Sequence, residues 1–258
     1  MNHVVMFSGG VGSWAAAKRV AETHGTDDLV LLFADTLIED KDLYRFLPEA
    51  AANVGGELVR IAEGRTPWEV FKDERLIGNT WADPCSKILK RKFIRRWITD
   101  RYDPTDVVVY LGIDWTESHR LDRARPYWEP WQIEAPLCDE PYLDKQDVLK
   151  WLNEQGIETP RLYKLGMPHN NCGGACVKAG KAQWKRLLEV LPDVYQDWET
   201  KEQEMRDYLG KDVAILRDRR NGATKPETLK TWRERLQGSD QLTLDESLDW
   251  GGCGCAVD

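Results

Sequence analysis

The sequence predicts an α/β fold built on a doubly wound, mostly parallel sheet, and three features support this prediction. His3–Phe7 is a short apolar run that leads through a glycine loop into Trp14–Thr23, where apolar residues recur at helical spacing. Leu29–Ala34 is continuously apolar, which is typical of a strand buried on both faces. Strands that alternate with helices in this way indicate parallel pairing.

The next elements continue the same alternation. A helical pattern spans Lys41–Val54, and Leu58–Ile61 and Val107–Leu111 are predicted to be strands. Right-handed crossovers would bring the loops after Phe7, Ala34 and Leu111 together at the carboxyl edge of the sheet. Sheets of this kind bind their ligands at that edge.

The pattern changes after Pro141, where helices dominate. The later segments with helical spacing are Asp147–Gln155, Ala175–Leu191, Asp193–Leu209 and Pro226–Leu236, and Val213–Leu216 is a candidate strand. We therefore predict a nucleotide-binding α/β domain at 1–144, a helical lobe with a cysteine pair at 145–248, and a flexible, cysteine-containing tail at 249–258.

Length and composition exclude several classes of protein. The chain has 258 residues, of which 41% are hydrophobic and 31% charged, so it can form a core without disulfides or metal. It contains no apolar run near the ~18 residues of a membrane span, and its start lacks a secretory signal, so we expect a cytoplasmic protein. The net charge of −8 argues against a general attraction to nucleic acid or to acidic membranes.

The loop Ser8–Ser13 is suited to binding phosphate. A glycine-rich turn between a strand and a helix presents backbone N–H groups at the positive end of the helix dipole. No Lys-Ser or Lys-Thr follows the glycines, which excludes a Walker A loop. The dinucleotide fingerprint stays open, because Gly10-x-Gly12-x-x-Ala15 fits it and Asp35 ends the second strand.

The same loop, Ser8-Gly9-Gly10-Val11-Gly12-Ser13, resembles the pyrophosphate loop S-G-G-x-D-S of the PP-loop superfamily, with Gly12 in place of the usual aspartate. Within that superfamily the chain resembles the phosphoadenosine phosphosulfate (PAPS) reductase-like branch. Four further segments carry this resemblance: Leu31–Thr36, Pro84–Lys90, Leu111–Arg120 and Tyr163–Cys176.

These segments match four family elements in order. They are a strand ending in Asp-Thr, a Cys-x-x-x-Leu-Lys element, a Gly-Ile-Arg-x-x-Glu-Ser-x-x-Arg element, and a Leu-Tyr-x-x-Gly stretch followed by a cysteine pair. Asp114 stands where the third element has arginine. A hydride-transfer enzyme has no reason to carry the last three elements, so they favour the PP-loop interpretation over the dinucleotide fingerprint.

The resemblance implies an adenine nucleotide alpha hydrolase-like fold that binds ATP or PAPS. The nucleotide-binding residues that it implies are Ser8, Gly9, Gly10, Val11, Gly12, Ser13, Asp35, Thr36 and Gly112. Gly12 weakens the interpretation as an ATP-cleaving enzyme, because the loop acid belongs to the ATP-handling motif of those members.

The tail cysteines Cys253 and Cys255 are candidate catalytic residues. Sulfonucleotide reductases, which the chain resembles, carry a nucleophilic cysteine on a flexible C-terminal segment. A glycine-flanked thiol can reach a pocket that a rigid element could not. The family's Glu-Cys-Gly-Leu-His signature is replaced here by Trp250-Gly-Gly-Cys-Gly-Cys255.

The six cysteines also suggest a metal centre. Cys172 and Cys176 are four residues apart and would share one face of a helix, as two ligands of a zinc ion or of an iron–sulfur cluster (4Fe-4S) would. The resemblance implies Cys85 as a third ligand, with Cys253 or Cys255 as the fourth, and His169 is close enough in sequence to approach the same centre. Ordinary reduced thiols are the alternative, and Cys138 is predicted to be structural.

A basic segment spans 87–101, where seven Lys and Arg residues accompany a single acid. In a chain that is acidic elsewhere, this predicted helix offers a site for phosphate, sulfate or nucleic acid, with a solvated helix face as the alternative. The resemblance places Lys87 and Lys90 on its pocket side. Arg120 and Lys178 are further candidates for binding the anionic substrate.

Three functions stay open at this point. The first is a PAPS reductase-like oxidoreductase that uses a thiol reductant such as thioredoxin. The second is an ATP-dependent sulfurtransferase acting on nucleic acid, similar to DNA phosphorothioation or tRNA thiolation proteins. The third is a nucleotide-binding protein without catalysis, which Gly12 and Asp114 suggest.

Overall fold

A computed structural model describes residues 1–238 and 242–252, and a five-stranded sheet lies at its centre. The strands are β1 (Asn2–Met6), β2 (Leu29–Asp35), β3 (Glu57–Ala62), β4 (Val107–Tyr110) and β5 (Gln132–Glu134). All neighbours pair in parallel, in the order β3-β2-β1-β4-β5. The predicted parallel sheet is confirmed, and β5 is an addition that the sequence did not predict, because only Ile133 of its three residues is buried.

Helices flank this sheet and form most of the later chain. The helices up to residue 154 are α1 (Val11–His24), α2 (Lys41–Val54), α3 (Pro67–Glu74), α4 (Phe93–Thr99), α5 (His119–Trp128) and α6 (Lys145–Glu154). The later helices are α7 (Arg161–Lys164), α8 (Lys181–Val190), α9 (Pro192–Leu209), α10 (Leu229–Gln237) and α11 (Leu244–Leu248). A small antiparallel pair, β6 (Leu216–Asp218) and β7 (Lys225–Glu227), lies between α9 and α10. None of these helices is long and apolar enough to cross a bilayer.

Local signals explain why α2 has the bounds that its sequence pattern predicts. Asp40 caps the helix by accepting a hydrogen bond from the backbone N–H of Asp42. The helix ends before Gly55, whose φ of +94° is a left-handed conformation that favours glycine.

The two faces of the sheet have separate cores, as the alternation of side chains along a strand requires. Val5 and Phe7 point toward α1 and α2, whereas Val4 points toward α4 and α5. Helix α6 packs on the first of these faces through Val148 and Leu152. Helix α6 therefore packs on the sheet, although the predicted domain boundary after residue 144 separates it from the α/β domain.

A third core joins the helices of the C-terminal part. It includes Trp184 of α8, Trp198 of α9 and Trp232 of α10, and Phe71 of α3 also belongs to it. The N-terminal part of the chain thus contributes a helix to the packing of the C-terminal part.

Three predicted helices differ from the observed elements. The helix expected at Ala175–Leu191 begins only at Lys181, because the preceding backbone pairs with the end of the chain: Ala179 bridges to Gly251, and Gly180 donates to the carbonyl of Trp250. The helix expected at Pro226–Leu236 begins at Leu229, since the residues before it form β7. The basic segment forms a π-helix, Ser86–Lys92, that continues into α4.

The start of the predicted tail is held in place. The backbone N–H of Ala182 donates to Asp249, and that of Gly252 donates to Lys178, at 2.8 and 3.2 Å. The segment 249–252 is thus docked beside the start of α8. Residues 253–258, which include both candidate catalytic cysteines, lie outside the described part of the chain.

Candidate functional site

A cavity of about 440 Å³ opens at the carboxyl edge of the sheet. It lies between β1 and β4, where successive connections leave the sheet in opposite directions and the two loops separate. Three parts of the chain line it: the phosphate loop, the loop after β4, and residues between Leu143 and Asn171. Its volume falls within the range of small-molecule sites, ~300–1,000 Å³.

The phosphate loop is shaped by glycine and by two serines. Gly9 has a φ of +78°, and Gly10 caps α1 without a side chain. Ser13 Oγ donates to the carbonyl of Gly10 at 2.8 Å, and Ser8 Oγ donates to Ser13 Oγ at 3.4 Å. The cap has no side-chain acceptor, and in the first turn the N–H of Ser13 donates to the carbonyl of Gly10 at 3.1 Å, so those of Val11 and Gly12 are left for a ligand or a neighbouring residue. Val11 N donates to the hydroxyl of Tyr163, which also lines the cavity.

The loop after β4 packs directly on the phosphate loop. A Cβ atom added to Gly112 would lie 2.9 Å from the backbone nitrogen of Ser13, and one added to Gly12 would lie 3.2 Å from the carbonyl oxygen of Gly112. Two glycines therefore permit the two backbones to meet. This close approach gives a physical reason for glycine at position 12, where the loop that it resembles has aspartate.

Three cationic side chains and one histidine line the cavity, together with the carboxylates of Asp114, Glu117 and Asp144. Lys90 and Arg120, both predicted anion contacts, are joined there by Lys145 and His169. Lys90 Nζ lies 3.7 Å from Glu39 Oε1, and Arg120 pairs with a carboxylate of the same cavity, that of Glu117. The three cations are matched by three carboxylates in the lining, so the cavity as a whole has no excess positive charge, and an anion would be held by individual cations.

His169 is neutral in this environment. Burial, together with the nearby charges of Lys145 and Arg120, lowers its pKa to about 4. At neutral pH the ring can donate and accept hydrogen bonds without adding charge. The sequence predicts His169 only as a possible neighbour of a metal centre.

Asn170 connects the C-terminal part of the chain to the phosphate loop. Its Nδ2 donates to the carbonyl of Gly9 at 2.8 Å, although 161 residues separate the two positions. The residue is 2% exposed, and its Oδ1 has no hydrogen-bond partner among the described residues. A buried acceptor without a partner is costly, so it is suited to a donor group on a ligand.

The structure brings most of the predicted nucleotide-binding residues together. The predicted nucleotide-binding residues that line the cavity are Ser8, Gly10, Val11, Gly12, Ser13 and Gly112, and the predicted substrate-binding residues that line it are Lys90 and Arg120. Tyr163, Lys145 and Asn170 line it too and were not predicted. Tyr163 and Asn170 lie inside the Tyr163–Cys176 match, which was their only signal. Lys145 carried no signal, because spacing alone does not show which residues fold over a distant loop.

Other predicted residues lie outside the lining. The Asp35 carboxylate accepts hydrogen bonds from Tyr44 and Arg60 and is 1% exposed, which makes it part of a structural network. Thr36 Oγ1 donates to Glu39 at 2.8 Å. Lys87 is exposed on the outer side of the π-helix, and Lys178 hydrogen-bonds through its backbone to Gly252.

The cysteine pair does not lie on one helix face, so that prediction is wrong. Cys172–Gly174 is a single 3₁₀ turn in which Cys172 and Gly173 have φ values of +52° and +58°. The Cys172 thiol hydrogen-bonds to Cys176, and this bond and burial raise its pKa. Cys85 and Cys176 both border the third core.

No group of three or more metal-ligating side chains occurs among residues 1–238 and 242–252. The zinc or iron–sulfur site stays a prediction, and its proposed fourth ligand, Cys253 or Cys255, lies outside the described residues. Cys138 donates to the carbonyl of Ile113 at 3.6 Å, and burial raises its pKa, in keeping with a structural role.

Comparisons with known proteins found distant similarities. No family model matches the chain. It is 25% identical over 194 residues to an uncharacterised protein of Methanocaldococcus jannaschii, and the match covers 74% of this chain but only 45% of that protein. Among solved structures, the chain is similar to a PAPS reductase from Candida auris in complex with phosphate, with a TM-score of 0.43 and 16% identity over 64% of this chain and 77% of that one.

Proposed function

We propose that the chain binds an adenine nucleotide through its phosphate loop and acts in sulfur chemistry, as a PAPS reductase-like enzyme. The observation that carries this proposal is the convergence of the loop Ser8–Ser13 with Lys90, Arg120 and Lys145 on one cavity. Backbone N–H groups at the start of α1 and three cations suit a ligand with an anionic end, while the carboxylates of the same lining suit its donor groups. The choice of adenine rests on the family resemblance of the surrounding motifs.

The proposed reaction begins with attack by a tail thiolate, from Cys253 or Cys255, on the sulfur of PAPS. A sulfur–sulfur bond forms as the bond from sulfur to the phosphate oxygen breaks, so the nucleotide leaves as a phosphate and the enzyme carries a thiosulfonate. A second thiol, from a reductant such as thioredoxin, then attacks the cysteine sulfur and releases sulfite. Two thiols become one disulfide as the transferred sulfur gains two electrons.

The described residues would act on the leaving group. Negative charge develops on the phosphate as the sulfur departs, and the phosphate loop and Lys90 would stabilise it. Neutral His169 would form a hydrogen bond with an oxygen or a hydroxyl group of the ligand without adding a further positive charge to the cavity.

The test is sulfite release under anaerobic conditions. Reduced protein incubated with PAPS and dithiothreitol should release sulfite, and either Cys253→Ser or Cys255→Ser should reduce the rate at least ~1,000-fold, since loss of a nucleophile removes the covalent route. Cys138→Ser is the matched control and should keep the activity. Tight binding of PAPS without any sulfite would remove the reductase proposal and favour a non-catalytic nucleotide-binding protein.

A second candidate is ATP-dependent modification of nucleic acid. The observation in its favour is the exposure of the basic segment 87–101. Lys90 lines the cavity, whereas three other basic residues of the segment are exposed to solvent: Lys87, Lys92 and Arg96. A polyanion on the outer side would lie near the cavity. Release of AMP and pyrophosphate from ATP only when a polynucleotide is present would select this function over sulfonucleotide reduction.

A further inference from the structure

We propose that Cys172 and Cys176 form a reversible intramolecular disulfide, and that this redox site controls the anion affinity of the neighbouring cavity. The second half of the proposal rests on the proposed nucleotide-binding function, whereas the first half does not. The two thiols already hydrogen-bond to each other. The described residues bring no group of three metal-ligating side chains together.

The local backbone favours closure of such a disulfide. Positive φ values at Cys172, Gly173 and Gly174, of +52°, +58° and +85°, turn the chain back on itself within three residues. Two glycines and one alanine separate the cysteines, so no bulky side chain lies between the thiols. Both cysteine residues are partly exposed.

The chemistry requires an oxidant, and a small-molecule disulfide such as oxidised glutathione supplies it. One cysteine thiolate attacks the glutathione disulfide, forming a mixed disulfide and releasing one glutathione thiolate. The second cysteine then attacks the protein sulfur, closes the Cys172–Cys176 bond and releases the other glutathione. Two protein thiols lose two protons and two electrons, and both electrons reduce the glutathione disulfide.

One chain of contacts links Cys172 to the cavity. The backbone N–H of Cys172 donates to the buried carboxylate of Glu39. Glu39 also accepts from Thr36 and lies 3.7 Å from the ammonium group of Lys90, which lines the cavity. Closing the disulfide would draw Cys172 toward Cys176 and weaken its bond to Glu39. A carboxylate that loses a donor pairs more closely with its remaining cation, so Lys90 would be less available to an anionic ligand.

A second link runs through the same segment. Asn170 holds the carbonyl of Gly9 in the phosphate loop, and a Cβ on Gly173 would lie 2.9 Å from the carbonyl oxygen of Ile38. The turn is thus packed between the phosphate loop and the loop after β2. A displacement of the turn has little room to relax without moving one of these loops.

The experiment uses the full chain equilibrated in glutathione buffers from reducing to oxidising. After alkylation of free thiols, trypsin should release residues 165–178 as one peptide that contains Cys172 and Cys176 and no other cysteine. In oxidising buffer we expect this peptide to be unalkylated and about 2 Da lighter than its reduced form, and reduction should reverse the change. Cys138→Ser is the control and should not alter the result, whereas Cys172→Ser and Cys176→Ser should each prevent it.

The coupling is tested by calorimetric titration of ATP and of PAPS into the reduced and oxidised proteins. We expect the oxidised wild type to bind at least about fivefold more weakly, and Cys176→Ser to show no dependence on the buffer. Equal affinities in both states would overturn the coupling.

Three results would overturn the disulfide itself: a peptide that stays fully alkylated in every buffer, a bond from Cys172 to a tail cysteine instead, or bound zinc or iron that is lost in Cys172→Ala. Disulfide formation in a protein that binds no nucleotide would instead refute the proposed function and leave the redox site intact.

Discussion

At the level of single residues, Gly112 has the strictest steric requirement in the site. Its missing side chain allows the loop after β4 to approach the backbone of Ser13, and that approach helps to shape the phosphate-binding turn. Neither glycine of the contact, Gly12 or Gly112, is in a left-handed conformation, so the requirement concerns space rather than backbone strain.

We expect Gly112→Ala to lower the free energy of unfolding by about 1–3 kcal/mol, because the added methyl group would overlap the backbone of Ser13. The same change should weaken nucleotide binding, since the loop must move to accommodate it. Urea denaturation and calorimetric titration measure the two effects. Gly252→Ala is the matched control, because a Cβ there meets nothing within 4 Å. Unchanged binding by Gly112→Ala would show that the loop tolerates this displacement.

At the level of elements, the C-terminal helices are joined by a buried network of charges. Lys181 at the start of α8 pairs with Glu227 of β7 and Glu246 of α11, and Arg235 of α10 pairs with the same two carboxylates. All four residues are at least 93% buried. Two positive and two negative charges balance inside the protein, so the removal of one leaves an uncompensated charge.

Lys181→Met should therefore destabilise the protein by about 3–5 kcal/mol. Adding Glu246→Gln should restore part of this stability, because the double variant again has balanced charges. Lys201→Met, which breaks the exposed pair with Asp197, should cost less than about 1 kcal/mol. Thermal and chemical denaturation compare the four proteins, and a Lys181→Met variant as stable as the wild type would contradict the importance of the network.

At the level of the whole molecule, one cavity joins segments that are far apart in sequence. The phosphate loop and Gly112 come from the region that we predicted as the nucleotide-binding domain, whereas Lys145, Tyr163 and Asn170 follow it. A ligand in the cavity would contact both regions. Its binding energy would then oppose any opening that separates them.

Nucleotide binding should therefore slow backbone hydrogen exchange at residues 8–13 and at 165–178 together. At a ligand concentration 100 times Kd, openings that require ligand release should slow about 100-fold. Helix α9 contributes no residue to the cavity lining and provides the internal control. Protection of only one of the two segments would show that the ligand does not bridge them. Mass spectrometry of the exchanged peptides resolves these cases.

Local sequence patterns determined the central elements of this protein. The helix Lys41–Val54, the continuously apolar β2 and the glycine loop after β1 were all predicted, because periodicity, caps and turn residues act between near neighbours. The parallel pairing of the strands was predicted from the alternation of strands and helices. The short polar strand β5 carried no such pattern, and it exists because Ile133 completes the core beside β4.

Only the tertiary structure decided which side chains meet at the cavity. The contact of Asn170 with Gly9, the placement of Lys145 and His169, and the turn that brings Cys172 to Cys176 all depend on how the later chain folds over the sheet. The four-residue spacing of Cys172 and Cys176 predicted that they share one helix face. That prediction was wrong because segment 249–252 docks beside residues 178–182, and α8 begins only at Lys181. The sequence determined the elements through short-range energetics, whereas contacts between distant residues determined the site, and no local pattern records them.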